Sequence, residues 1–338
     1  MEPVAAESGG VDVLGIGNAI VDVVAYAEDR LLEQLDLVKG AMTLVDESRC
    51  EFLYRRMGPA HEVSGGSCAN TMAALASLGG RAAYIGRVRD DQLGEVFGHD
   101  IRAAGVTFRS RPSTEGPSTA RCLVFVTPDA QRTMATYLGA CVELAPEDVD
   151  PELVRAAEIT YLEGYLWDRP EAKAACRKAA AICHRAGRKL ALTLSDPFCV
   201  DRWRGEFREL VTREVDILFA NEAEITSLYE VADFDRALQE VRRHVHFAVL
   251  TRGARGSVVV RGEEVHVIDA VPPDRLLDTT GAGDLYAAGF LRGFTAGLDL
   301  GTCGRLGSLC AAEIIAQYGA RAERPLRPLF DRVNGAGP

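Results

Sequence analysis

The sequence predicts an α/β protein: a doubly wound, mostly parallel sheet with helices on both faces, carrying a small β-sheet lid. Three observations predict it. Helical and extended segments alternate through the second half of the chain, the pattern of strand and crossover-helix units. The stretch from Thr107 to Tyr137 instead holds short β-rich pieces broken by Pro112, Gly116, Pro117 and Pro128, which is hairpin material. Finally, 338 residues that are 47% hydrophobic suffice to bury a large core.

In chain order, Val11 to Ile16 has a buried-strand pattern that ends at Gly17-Asn18, and Ile20 to Tyr26 continues as a second extended run. Leu31 to Leu35 is a short helical piece. Ala, Met and Leu recur at helical spacing from Ala69 to Leu78, where Gly79-Gly80 stops the helix, and Ala82 to Gly86 is a strand. Ala120 to Val126 and Thr133 to Tyr137 are the β pieces of the hairpin region. Downstream, helical Glu171 to Ala186 precedes extended Lys189 to Leu194, Trp203 to Val211 precedes Asp216 to Ala220, and Phe234 to Arg243 precedes Phe247 to Thr251. The expected division is one α/β unit, residues 1–19, 47–106 and 139–338, and a discontinuous lid, residues 20–46 and 107–138.

A formal net charge of -11 argues against nucleic-acid or anionic-membrane partners, both of which need clustered positive charge. The nine cysteines are scattered, odd in number and contain no C-x-x-C pair, so they read as buried hydrophobes in a reducing cytoplasm. No run approaches the roughly 18 apolar residues of a spanning helix. The six histidines show no metal spacing apart from His244 and His246, which could share a strand face, and are assigned no role.

The most informative string is Asp278-Thr279-Thr280-Gly281-Ala282-Gly283-Asp284, followed by a run of small residues. Gly281, Ala282 and Gly283 carry almost no side chain, so their N–H groups can crowd an anion at a helix start. A carboxylate beside such a cradle repels a phosphate unless it has a task of its own. For Asp284 that task is taking the proton of an attacking hydroxyl during phosphoryl transfer.

Other residues carry weaker signals. Gly65-Gly66-Ser67-Cys68-Ala69-Asn70 opens a helix, and Asn70 can donate to and accept from a hydroxyl. Asp22 lies in an apolar strand, where it either faces solvent or accepts from the paired hydroxyls of a polyol. Gly15 and Gly17 do not make a dinucleotide fingerprint, because its third glycine would fall on Ile20. Asn221 and Glu224 follow a strand end three residues apart, on one face of a helical turn. There they are either a capped acidic turn or a holder of magnesium through water. Thr251 to Gly256 is a glycine-rich turn at a second strand end, suited to a nucleotide phosphate or ribose, or a plain hairpin turn. Arg132, in the lid, either reaches the transferring phosphate or is solvated.

With these pieces in order, the chain resembles the ribokinase-like carbohydrate and nucleoside kinases of the PfkB family over roughly Val11 to Gly319. Within that family, Gly17 to Asp22, Leu192 to Phe198, Asn221 to Glu224 and the helix Thr302 to Tyr318 look most like adenosine kinases. The resemblance implies ATP as donor, a Mg2+ requirement and a primary hydroxyl as acceptor. It implies Asp284 as base with Gly281, Ala282 and Gly283 as anion hole. Asn18, Asp22, Gly65, Gly66, Asn70 and Arg132 would hold the acceptor, Asn221, Thr251, Gly253, Gly256, Thr279, Gly281 and Gly283 the nucleotide, and Glu224 the magnesium through water. The function implied is phosphorylation of the 5′-hydroxyl of adenosine or a related nucleoside. The alternatives are a sugar kinase of the same family and a non-catalytic nucleoside-binding protein. Ser195 to Phe198 and Tyr161 to Trp167 depart from the pattern and are candidates to line the acceptor pocket, with Tyr137, Tyr165 and Trp167 as candidate stackers of a base. The sequence leaves open a monovalent cation such as K+ and a homodimer.

Overall fold

A computed structural model of the chain describes residues 10–129 and 131–335; the termini and Ala130, which the division above shares between its two units, lie outside. The chain builds two sheets. In the nine-stranded sheet the order is β14-β13-β12-β11-β10-β9-β1-β5-β6. Its strands are β1 (Val11–Ile16), β5 (Ala82–Ile85), β6 (Thr107–Phe108), β9 (Ala157–Glu163), β10 (Lys189–Thr193), β11 (Ile217–Asn221), β12 (Phe247–Thr251), β13 (Ser257–Arg261) and β14 (Glu264–Ile268). All neighbours from β6 to β12 run parallel, and β13 and β14 add an antiparallel edge.

Both faces of this sheet are covered, so its strands read as nearly continuous apolar runs. On β1, Val13 packs into one core with the helices Ser67–Ser77, Ala282–Thr295 and Leu300–Ile314, while Leu14 and Ile16 pack into the other with Pro170–Arg185 and Pro197–Arg213. The Ala282–Thr295 helix lies very close to its neighbour. A Cβ on Gly289 would stand 2.8 Å from the carbonyl oxygen of Leu306, so glycine is what permits that approach. The order reverses between β9 and β1, and such a switch point opens a crevice at the carboxyl ends of the strands.

The five-stranded sheet has the order β3-β8-β7-β2-β4, with β2 (Ile20–Tyr26), β3 (Met42–Leu44), β4 (Ala60–Gly65), β7 (Ala120–Val126) and β8 (Arg132–Tyr137). Two memberships differ from the expected division. β4 belongs to the small sheet, although residues 47–106 were assigned to the large unit, and β6 pairs in the large sheet, although 107–138 were assigned to the lid. Ala60-His61-Glu62 is exposed or half-buried and polar, so pairing with β2, not its own pattern, makes it a strand. β6 is two residues long and carries no periodicity. No described helix is long and apolar enough to cross a membrane.

Candidate active site

The Ala282–Thr295 helix begins at Gly281, whose φ of 78° is left-handed and whose missing side chain makes room for Ala320. At this end the first N–H groups have no partner in the helix. Ala282 donates to the carbonyl of Thr279 at 3.2 Å, so its N–H is engaged within the loop. Those of Gly281, Gly283 and Asp284 have no acceptor among the described residues. Gly283 is exposed, with no atom within 4 Å of where a Cβ would stand. Three free donors at the positive end of a helix dipole make a seat for an anion.

Asp278 braces this loop. Its carboxylate accepts from the N–H and hydroxyl of Thr280 at 2.9 and 2.7 Å and from the N–H of Gly319 at 2.9 Å. Arg132 reaches the same carboxylate from β8 at 2.7 Å. Burial works against its charge, but the Thr280 and Gly319 bonds and the Arg132 guanidinium hold the Asp278 carboxyl below its ordinary range. Arg132 is therefore neither solvated nor free: it ties the small sheet to the anion loop.

Asp284 sits in the first helical turn and accepts from the Ser67 hydroxyl at 2.6 Å and from the Asn70 amide at 3.1 Å. Burial raises its pKa, while Ser67, Asn70 and the nearby Arg321 oppose that rise. Ser67 and Asn70 reach it because Gly66 turns the chain at φ 95°, where any Cβ would strike the carbonyl oxygen of Asn18. Gly65 has a parallel role. A Cβ there would stand 2.6 Å from the Asp22 carboxylate, so the bare backbone lets Asp22 lie against it.

Asp22, half-buried on β2, has its carboxylate against Gly65 and accepts no hydrogen bond from the described residues. Burial is the main cause of a pKa pushed up to about 6, with Arg321 and Arg132 lowering it and Asp284 raising it. An unpaired, half-buried carboxylate of this kind is poised to accept from a ligand hydroxyl. Asn18, between β1 and β2, is buried. Its amide donates to Glu163 at 2.9 Å and its own oxygen lacks a partner. Glu163 closes β9 and also accepts from the N–H of Cys68 at 3.0 Å. Burial pushes Glu163 up to about 7, against the bonds from Cys68 and Asn18. The sequence assigns no role to Ser67 or Arg321, and touches Glu163 only within Tyr161 to Trp167, a candidate lining of the acceptor pocket. An acid closing an apolar strand was a usable signal for Glu163; nothing local marked Arg321.

The crevice runs from Asp284 along the strand ends into two joined cavities, each of about 520–530 Å³. The first lies against Thr251, Gly253, Gly256, Thr279 and Gly283, with apolar walls from Val271, Leu276 and Ile315. Such a pocket beside an anion seat fits a nucleotide: an apolar slot for the base and amide donors for the phosphates. Gly253 and Gly256 also form the turn between β12 and β13, so the hairpin and the cavity wall are the same residues. The second cavity is lined by Asp284, Asn221, Glu224, Tyr165 and Ser195.

Asn221 and Glu224 bond reciprocally. The Asn221 amide donates to Glu224 at 2.6 Å, its N–H at 2.9 Å, and the Glu224 N–H donates back at 2.9 Å. The capping reading is the one seen: the pair is a capping box, and it lines the cavity. Burial pushes Glu224 up to about 7. No group of three metal-ligating side chains occurs among the described residues, so a cation here would be held by Glu224, water and phosphate oxygens, the habit of magnesium. Trp167 is fully buried against Phe207, with its indole N–H on Glu206, and is a core residue, not a base stacker. Tyr165 lines the second cavity, and Tyr137 is half-buried on the small sheet. Ser195 lines it too, at a left-handed φ of 71°, while Asp196 caps the following helix by accepting from Cys199 at 2.6 Å.

Comparison with known proteins agrees with this chemistry. Residues 54–327 match the model of the pfkB family of carbohydrate kinases. The crystal structure of an adenosine kinase from Sinorhizobium meliloti is 54% identical, with a TM-score of 0.88, over 97% of this chain and all of that one. A probable sugar kinase from Rhizobium etli is 49% identical, with a TM-score of 0.89, over 96% of this chain and 99% of that one. Adenosine kinase 1 of Arabidopsis thaliana is 25% identical over 94% of this chain and 97% of its own length.

Proposed function

The chain belongs to the pfkB family of carbohydrate kinases, and from that premise we propose that it transfers the γ-phosphoryl group of ATP to the 5′-hydroxyl of adenosine or a close relative. It is a phosphotransferase, and the acceptor is the proposed part. The observation that carries the acceptor is the 54% identity to the Sinorhizobium meliloti adenosine kinase across nearly the whole of both chains.

Bound ATP with magnesium supplies the phosphoryl group and shields its charge. The chain's own residues do the rest. Asp284 takes the proton of the acceptor hydroxyl, held in orientation by Ser67 and Asn70. The free N–H groups of Gly281, Gly283 and Asp284 receive the charge of the migrating group. Thr251, Gly253, Gly256 and Thr279 hold the nucleotide, and Asn221 and Glu224 hold magnesium through water. Asp22, against Gly65, together with Asn18, Gly66 and Asn70, grips neighbouring hydroxyls of the acceptor, and the small sheet acts as the lid that excludes water. Nine buried, unpaired cysteines support a reducing cytoplasm as its location.

A free sugar is the second reading, favoured by the 49% identity to the probable sugar kinase of Rhizobium etli. Following ADP release across nucleosides and sugars separates the two. Burying a purine removes on the order of 100 Å² of apolar surface, about 2.5 kcal/mol, so adenosine is expected to exceed ribose in kcat/KM by roughly seventyfold. Equal or better use of a free sugar overturns the acceptor.

The acceptor KM is also expected to depend on pH. Asp22 grips hydroxyls best when ionised, and its pKa is pushed up to about 6, so KM should rise as pH falls through that value. Steady-state titration from about pH 5 to 8 checks this; a flat KM would remove Asp22 from the acceptor site.

A further inference from the structure

We propose that Arg321 is a positioning residue of the phosphoryl-transfer site: its guanidinium locks the junction between the small sheet and the Ser67–Ser77 helix and sets a positive charge opposite both Asp22 and Asp284. The proposal rests on the reading of Asp284 as the base.

The guanidinium is spread over both sides of that junction. Its Nε donates to the carbonyl of Ser64 at 2.9 Å, one Nη to the Ser64 hydroxyl at 2.9 Å, and the other to the carbonyl of Ala69 at 3.0 Å. Ser64 is the penultimate residue of β4, and Ala69 lies in the first turn of the helix. Between them stand Gly65, against Asp22, Gly66, which turns the chain, and Ser67, which holds Asp284. Ser64 is clamped from its other side, where its N–H and hydroxyl donate to Asp100 at 2.7 and 2.6 Å. A planar fork that bridges three acceptors in fixed geometry is a task for arginine that lysine cannot copy.

The same stretch of chain reaches the anion loop. Gly319 bonds Asp278, and Ala320 fills the space left by Gly281. Arg321 thus stands where the anion loop meets the junction that carries Gly65, Gly66 and Ser67.

The charges around Asp284 are mostly of its own sign. Asp22, whose carboxylate lies against Gly65, and Glu163, which accepts from the N–H of Cys68, both add negative charge to its surroundings; its own contacts are the neutral Ser67 and Asn70, and Tyr161 lines the same cavity. Arg321 is the cation that bears on Asp284, and with Arg132 it also bears on Asp22, whose other titratable neighbours are Asp284 and Cys122; the guanidinium itself faces Asp100 first, across Ser64, and then Asp22, Tyr84 and Asp284. Two carboxylates crowded together do not both ionise readily without such a partner.

The test is the pH profile of kcat in Arg321→Met and Arg321→Lys. Removing the cation raises the pKa of the base, so in R321M the acid limb is expected to move up by roughly one pH unit. R321K keeps the charge and should keep the limb near its wild-type position while losing turnover through the broken bridge. An unmoved limb in folded R321M, or equal shifts in R321M and R321K, overturns the proposal, because a purely structural role lowers turnover at every pH alike. Should R321M not fold, Arg321→Gln, which removes the charge but can still bond Ser64, is read in its place. Asp284→Asn run alongside separates the two ideas. Undiminished turnover there sinks the base assignment, whereas its loss with an unmoved R321M limb sinks only the role of Arg321.

Discussion

Replacing Asp284 with asparagine is expected to cut turnover by about two to four orders of magnitude, the range that a positioned general base contributes, with little change in stability. Asparagine keeps the size of the side chain: its single amide oxygen can accept from Ser67, which holds one carboxylate oxygen at 2.6 Å, while its NH2 takes the place of the oxygen that Asn70 holds at 3.1 Å and can donate to the unpartnered Asn70 oxygen once that amide turns over. What it loses is the capacity to take a proton. The burial that raises the pKa of Asp284 brings its basicity closer to that task, since a carboxyl that ionises at too low a pH is a poor proton acceptor. Binding of the acceptor should survive, because Asp22 and Asn70 remain. The expected signature is therefore a collapsed kcat with KM changed only modestly, measured by coupled ADP release, alongside a wild-type melting profile. Turnover within a few-fold of wild type would remove Asp284 from the reaction.

Replacing Asp278 with alanine is expected to give the largest loss of stability of any single substitution at the site, about 3–5 kcal/mol in denaturant unfolding. Its carboxylate accepts from Thr280, Gly319 and Arg132, and the side chains of Asp278 and Arg132 are only 8% and 11% exposed. Without it the buried guanidinium loses its ion pair and keeps only the weaker pull of Asp22, and that desolvation is the main cost. Adding Arg132→Met removes the stranded charge, so the double variant should be more stable than the sum of the two single losses predicts. Turnover should fall with Asp278→Ala as well, because Thr280 and Gly319 lose the anchor that sets the anion loop, and misplacement by about 1 Å can cost a hundredfold. A loss below about 1 kcal/mol would mean that the pair is not the brace described.

The strands of the large sheet were readable because burial on both faces leaves an unbroken apolar signal. Val11–Ile16 and Phe247–Thr251 each come out of the structure with the bounds read from sequence. The anion loop was readable for a different reason: seven consecutive residues carry the donors, the turn and the acid together. What failed to read were elements with no periodicity of their own. β4 is a strand only through its partner β2, and β6 is too short to carry a pattern. Trp167 looked like a stacking residue by type, yet its place against Phe207 makes it core.

Local chemistry within the chain thus determined the doubly wound architecture and the pairing of an amide cradle with Asp284, because hydrophobic period and contiguous motifs act over a few residues. The partners of that acid were decided by tertiary structure alone. Ser67 and Asn70 lie more than 200 positions away from it, Glu163 reaches across 145 to Asn18, and Arg321 clasps Ser64 across 257. Whether a carboxylate is buried, paired or facing a cation depends on which segments the sheet order brings together, and no short stretch of sequence carries that information.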